Sequence, residues 1–80
     1  MVNAHWLKIL IICERENIEF YAQEIGFFKR MLERGIENTA IKQRINFFIV
    51  YSETELENAN EHLEKLRAKL DSCESANPER

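Results

Sequence analysis

Residues 33 to 40, ERGIENTA, contain one of the two glycines of this 80-residue chain, which has a single proline. Average proteins contain about 7% Gly and 5% Pro, so this composition indicates few turns. Gly35 can adopt the left-handed conformation that ends a helix, and Asn38 or Thr39 can accept hydrogen bonds from the first amides of the next helix. The stretch therefore predicts one turn between two long helices, at about 3–34 and 39–74.

Apolar residues on both sides of the turn recur at alternating steps of three and four, which is the heptad pattern of helices packed lengthwise. A short connection makes the two helices antiparallel, so residues whose numbers sum to about 73 should lie opposite one another. That sum holds from Leu32 and Ile41 near the turn to Ala4 and Leu70 at the far end. The first seam is Ala4, Leu7, Ile11, Glu14, Ile18, Tyr21, Ile25, Phe28 and Leu32, and the second is Ile45, Ile49, Ser52, Leu56, Ala59, Leu63, Leu66, Leu70 and Cys73.

The predicted fold class is all-α, a long antiparallel two-helix hairpin. Residues 1–74 form a single domain, and residues 75–80 are expected to be a disordered tail because Pro78 cannot continue a helix and its neighbours have nothing to bury. In this register Phe28 faces Ile45 and Ile25 faces Phe48.

The most apolar segment is RINFFIVYSE, residues 44 to 53. Its length and composition would also fit a strand. The helical interpretation is preferred because Ile45, Phe48, Ile49 and Ser52 fall on a seam that continues in step for three more heptads. Phe47, Val50 and Tyr51 then point away from the first helix, so the segment combines two faces.

The first helix carries a second apolar stripe that begins at Val2 and lies roughly 160° around the helix from the seam. A patch this large is unusual on a monomer, and a two-helix hairpin encloses no interior of its own. Self-association is therefore predicted, most simply as a two-fold dimer that forms a four-helix bundle. The predicted oligomer interface is Trp6, Ile9, Cys13, Phe20, Phe27, Met31, Phe47, Val50 and Tyr51.

No cofactor is expected from the sequence. Helical bundles hold metals with Glu-x-x-His motifs, but the residue three before His62 is Ala59 and the residue three before His5 is Val2. Glu14 is expected to bend out of the seam to solvent, and His62 to lie on a solvated flank. Cys13 and Cys73 have no histidine within a helical turn, so no catalytic residue is predicted and the chain is not expected to be an enzyme.

The two cysteines are too few for a disulfide framework, and their positions in the register place them roughly 20 Å apart. In the amino-terminal segment the longest uninterrupted apolar run is the five residues from Ile9 to Cys13, which is too short for a signal-peptide core or a membrane span. These features predict reduced thiols, a cytoplasmic location and no membrane partner.

A cluster of cations surrounds the turn, although the chain as a whole has a net charge of -3. Helix dipoles favour cations at a carboxyl end but not at an amino end, so Lys42 and Arg44 have no dipole explanation. Together with Glu33 and Glu37, the cluster has a net charge of +3. The basic tip, a candidate polyanion contact, consists of Lys29, Arg30, Arg34, Lys42 and Arg44.

The sequence therefore favours a non-enzymatic structural or protein-protein interaction module that forms homo-oligomers, with a dimer preferred. A different protein on the same apolar stripe remains an alternative partner. The alternative function is a small nucleic-acid or acidic-partner binding protein that uses the basic tip. The acidic net charge and the lack of a recognition-helix pattern argue against nucleic acid.

Overall fold

The computed structural model describes residues 3–75 and contains two helices, α1 (Ala4–Arg34) and α2 (Thr39–Ser75). They pack against each other as an antiparallel hairpin measuring 63 × 15 × 14 Å, and no strand occurs in the described residues. The predicted fold class is confirmed, and both helices end within one residue of the predicted limits. Val2 and residues 76–80 of the predicted tail lie outside the described residues.

Hydrogen-bonded caps are present at both ends of α1 and at the start of α2. The Asn3 side chain accepts a hydrogen bond from the Trp6 amide at 2.8 Å, which caps the start of α1. Gly35 has φ = 92°, and its amide donates to the Leu32 carbonyl at 3.1 Å. Asn38, rather than Thr39, caps α2 by accepting from the Ile41 amide at 3.1 Å. The turn therefore satisfies free backbone groups on both sides.

The core is a narrow strip between the helices, made entirely of predicted seam residues. No other element is available to cover the seam, so several of its members remain half-buried. Ser52 is the only polar side chain classed as buried in the described part of the chain. The buried apolar residues are Leu7, Ile45, Ile49, Ala59, Leu63 and Leu66.

Side-chain contacts between the helices occur at larger residue sums than the predicted 73. Phe28 stacks on Phe48 with ring centroids 5.8 Å apart, and Glu14 contacts His62. Each Cα–Cβ bond tilts toward the amino end of its own helix. In an antiparallel pair these tilts are opposed, so the side-chain ends that meet belong to residues with a larger sum. Phe48, which is predicted to lie opposite Ile25, has its ring stacked on Phe28.

Cross-helix pairs of longer side chains have still larger sums of residue numbers. Lys29 pairs with Glu53 at 3.4 Å and Lys8 pairs with Glu74 at 3.7 Å, and all four side chains are at least half exposed. Such exposed pairs contribute at most about 1 kcal/mol each. Their main consequence is that one flank of the hairpin has paired charges across the two helices.

Gly26 is a helical glycine whose replacement by alanine should stabilise the protein. An added Cβ would meet only Arg30 Nη1, at 3.3 Å, which is the end of a flexible side chain. Alanine is favoured over glycine in a helix interior by about 1 kcal/mol, so Gly26→Ala should raise Tm by about 4 to 8 °C at a fixed protein concentration. Thermal unfolding followed by circular dichroism checks this.

Gly35→Ala is the matched control. An added Cβ at Gly35 would meet no atom within 4 Å, but the positive φ of this residue is unfavourable for alanine, so the substitution should lower Tm. A lower Tm for Gly26→Ala would indicate that another chain approaches α1 closely at this position.

Neither helix in the described region contains an 18-residue stretch apolar enough to cross a bilayer.

Candidate interaction surface

Most predicted interface side chains are exposed in the hairpin. Trp6, Phe20 and Phe27 on α1 are 51% to 55% exposed, and Cys13 is also exposed. Ile9 and Met31 are half-buried. The three predicted residues on α2, which are Phe47, Val50 and Tyr51, are 50% to 65% exposed.

Three further hydrophobic side chains are exposed that the sequence analysis did not assign to the interface. Ile41 and Phe48 are predicted to face Leu32 and Ile25 across the seam, but they are 47% and 46% exposed. Ile12 was not assigned to either stripe and is 56% exposed. The exposed apolar surface on α2 is therefore larger than predicted, because it includes Ile41 and Phe48 in addition to Phe47, Val50 and Tyr51.

Helical geometry divides these residues between two faces of the hairpin. With the seam residues as heptad positions a and d, positions g and c of both helices flank the seam on the side where Phe28 meets Phe48. We call this the aromatic face. Its apolar members are Trp6, Leu10, Cys13, Phe20, Phe27, Met31, Ile41, Phe48 and Tyr51.

Positions e and b form the opposite side, which we call the charged face. Its large apolar residues are only Ile12 and Val50, and both cross-helix lysine pairs lie on it. This face is compatible with solvent without a partner. Its charged members are Lys8, Arg15, Glu19, Lys29, Glu33, Glu53, Glu57, Glu64, Arg67, Asp71 and Glu74.

A continuous row of four phenylalanine rings runs across the seam from α1 to α2, and its last member, Phe47, lies outside the aromatic face. Phe27 contacts Phe28 edge to face at 5.5 Å, Phe28 stacks on Phe48 at 5.8 Å, and Phe48 contacts Phe47 edge to face at 5.8 Å. These separations fall in the range of favourable aromatic pairs. The row is present in the single hairpin, so these ring contacts do not require a second chain.

A polar cluster follows the aromatic row toward the open end of the hairpin. His62 Nδ1 and Glu14 Oε2 form a hydrogen-bonded ion pair when the imidazole is protonated, and Asn17 Nδ2 donates to Glu14 Oε1 at 3.1 Å. The predicted orientation of Glu14 toward solvent is wrong, because its side chain is only 13% exposed. His62 is 56% exposed and does lie on the flank, but with a carboxylate partner.

These contacts determine the ionisation of Glu14. The hydrogen bond from His62, and next that from Asn17, stabilise the carboxylate and lower the pKa of Glu14 below its ordinary value of 4.5, against the opposing effect of burial. Nearby, desolvation and the charge of Glu55 raise the pKa of Tyr21. Glu14 is therefore ionised and Tyr21 neutral near pH 7.

Glu14→Gln should destabilise the protein near neutral pH by about 0.5 to 1 kcal/mol, because it removes the charge and keeps an oxygen that can accept from His62. Since folding lowers the pKa of Glu14, its contribution is complete above the unfolded value and disappears as pH falls through the folded value. Urea unfolding of both proteins from pH 7 to pH 3 should therefore give curves that converge in acid. Parallel curves would show that the Glu14 charge does not stabilise the fold.

The remaining polar and thiol groups do not assemble into a metal site in residues 3–75, where no three His, Cys, Asp or Glu side chains come together. Cys13 and Cys73 are both free. The shallow depression beside Cys73 is lined by Leu7, Ala68, Lys69 and Ser72. No histidine or carboxylate is among these lining residues.

The basic tip is exposed, as a contact site for an anion would need to be. Lys29 is paired with Glu53. For the other four cations, no carboxylate in the described part of the chain lies within 4.0 Å. The structure therefore brings the five residues to one end of the hairpin, with four charges available to solvent.

Comparisons with protein-family models, curated proteins and solved structures found no match to this chain. The surfaces of the hairpin therefore provide the available indications of function. The aromatic face, which differs strongly from the charged face in composition, is the principal candidate.

Proposed function

We propose that this protein is a non-enzymatic structural or protein-protein interaction module that self-associates through its aromatic face, in the cytoplasm. The observation that supports this is the distribution of large apolar residues, eight on the aromatic face in addition to Cys13, against Ile12 and Val50 on the charged face. A monomer in water has no physical reason to concentrate them on one side. The two free thiols agree with a reducing compartment.

The free energy available from covering this face is substantial. Aromatic side chains bury about 150 to 250 Å² each, so a ring that is half exposed, as Trp6, Phe20, Phe27 and Tyr51 are, leaves roughly 100 Å² in water. At about 25 cal/mol per Å² its burial contributes about 2 to 3 kcal/mol. Several such groups from two chains offset an association cost of about 4 to 15 kcal/mol.

The dimensions of the hairpin also fit an interface. A face 63 Å long and 15 Å wide has a projected area of about 900 Å², close to the roughly 800 Å² that each partner contributes to a standard interface. Two hairpins joined through their aromatic faces make a four-helix bundle, which encloses the interior that one hairpin lacks. A homodimer is therefore the simplest assembly.

Sedimentation of the wild-type protein at micromolar concentration tests this proposal. A species with twice the 9.5 kDa chain mass is expected. The Tm of the protein should also rise as the protein concentration is raised. A folded monomer over the whole concentration range would contradict self-association. A larger closed oligomer would retain the aromatic face as the contact but change the number of copies.

The four solvent-exposed cations of the basic tip support a second candidate, binding of nucleic acid or an acidic protein. Changing Arg30, Arg34, Lys42 and Arg44 to Gln should then abolish binding to DNA, RNA or polyglutamate and leave the fold intact. The wild type should bind more weakly as salt increases. Its affinity should depend more steeply on salt than that of a variant in which only some of the four residues are changed to Gln. Absence of salt-dependent binding by the wild type would eliminate this candidate.

A further inference from the structure

We infer that the outer ridge of α2 near the turn binds an acidic amphipathic helix of another protein. This binding rests on the second candidate function, contact with an acidic protein, and specifies the surface and the kind of partner. The outer ridge is the row of residues, three and four apart, on the side of α2 that faces away from α1. Its members, all exposed, are Ala40, Gln43, Phe47, Val50 and Thr54.

The row changes character along α2. Near the turn, Phe47 is 65% exposed and Val50 is 61% exposed, and the Thr54 hydroxyl donates to the Val50 carbonyl at 3.0 Å. Toward the open end the row has the charged composition that is usual for a helix face in water. Its next three members are Glu57, Glu61 and Glu64. The part near the turn therefore differs from a solvated face, although it also faces away from α1.

A shallow depression in the outer ridge combines aromatic rings with a cation. It is lined by Ala40, Gln43, Arg44, Phe47 and Phe48. The two rings lie 5.8 Å apart, and Ala40 contributes only a methyl group between longer side chains. No carboxylate in the described part of the chain lies within 4.0 Å of the Arg44 guanidinium. The depression can therefore receive an apolar side chain while the guanidinium binds a neighbouring carboxylate.

The charge of this part of α2 favours an anionic partner. Residues 38–52 contain Lys42 and Arg44 and no acidic residue, although the whole chain has a net charge of -3. Cations near the amino end of a helix oppose its dipole, so helix stability gives no reason for them. The shallow depressions beside Ile12 and Leu56, in contrast, are lined by glutamates. Charge complementarity thus directs an acidic partner to the outer ridge near the turn.

The size of the outer ridge fits a short segment rather than a second hairpin. From Ala40 to Thr54 the helix rises about 21 Å, and with the 15 Å width of the hairpin the projected area is about 300 Å². A standard interface needs about 800 Å² from each partner. A contact of this size is typical of weak, transient binding. A helix of about 14 residues, with apolar side chains repeating three and four apart, would cover the ridge.

Single-stranded nucleic acid also binds to cations and exposed aromatic rings. It is disfavoured on this surface because its phosphates recur at every nucleotide, whereas α2 continues beyond Ser52 with Glu53, Glu55 and Glu57. An amphipathic helix can place its carboxylates near Arg44 and its apolar side chains against Phe47. The separate positions of the cation and the apolar groups therefore fit a peptide better.

Fluorescence anisotropy with a synthetic peptide tests this binding. The probe is a peptide of about 14 residues with leucines in one helical row and glutamates beside them, and its control has the same composition with leucines on all sides. The wild type should bind the probe at least about tenfold more tightly than the control peptide. Phe47→Ala should weaken binding of the probe by about tenfold or more, and Arg44→Gln by about 1.4- to 5-fold.

Ile12→Ala and Arg30→Gln are the matched control variants. Ile12 is 56% exposed and lies on α1, and Arg30 belongs to the basic tip but does not line the depression. Neither change should alter the affinity for the probe. Phe47→Ala should leave the circular dichroism spectrum and the sedimenting mass unchanged, because Phe47 is largely exposed and lies outside the aromatic face.

Four other results would overturn the inference. Equal binding of both peptides, with equal losses from Arg30→Gln and Arg44→Gln, would indicate a general electrostatic contact and leave the second candidate function standing. Tighter binding of a single-stranded oligonucleotide than of the probe would favour nucleic acid as the partner. A lower sedimenting mass of Phe47→Ala would show that a second copy covers the outer ridge. No binding of either peptide or the oligonucleotide by the wild type would eliminate the second candidate function as well.

Discussion

Phe20→Glu together with Phe27→Glu should convert the assembled protein into monomers at micromolar concentration. Both side chains are more than half exposed in the hairpin and lie on the aromatic face, so the change removes little seam packing. In the dimer it would bury two carboxylates in each chain without partners, which costs several kcal/mol. We expect an affinity loss of at least about 1,000-fold, measured by sedimentation velocity, with a lower Tm because the bundle core is no longer closed.

The charged face supplies matched controls of similar exposure. Ile12→Glu and Val50→Glu alter side chains that are 56% and 61% exposed, and neither should change the sedimenting mass. Val50 belongs to the interface predicted from the sequence, so its variant also tests that assignment. Dissociation by Val50→Glu would extend the interface around α2. An intact oligomer after the double phenylalanine change would place the contact on another surface.

The fold was predictable because its determinants are local in the sequence. One glycine and one asparagine in ERGIENTA define the turn, and both act as expected in the structure. Heptads on either side supply the seam, and every buried residue belongs to it. A hairpin with a short turn has one antiparallel solution, so little else was needed.

The composition of the candidate surface was harder to predict. Ile41 and Phe48 occupy g positions beside the seam, and in a run as apolar as RINFFIVYSE the heptad pattern does not separate a seam residue from its neighbour. Glu14 and His62 are 48 residues apart in sequence, and their contact depends on how far the two side chains lean along their helices. The sequence did contain one signal for this surface. Heptad positions g and c carry most of the large apolar residues outside the seam, whereas positions e and b are mostly charged.

Leu66→Ala should have the largest effect on stability of any single truncation considered. Leu66 is 4% exposed and is one of six buried apolar residues in the described part of the chain, so little surrounding structure can collapse into the space left. Such truncations cost about 2 to 5 kcal/mol, against a total of about 4 to 12 kcal/mol expected for a chain of this length. Urea unfolding at fixed protein concentration should show this loss, and Tm should fall by more than about 10 °C.

Leu66→Met is the matched control, because methionine keeps nearly the same volume and apolar character. Its cost should be below about 1.5 kcal/mol. The comparison also tests the link between folding and assembly. If closing the bundle stabilises the seam, the loss caused by Leu66→Ala should be accompanied by weaker dimerisation, whereas Leu66→Met should leave both nearly unchanged. Equal stability of the two variants would show that Leu66 is not part of the core.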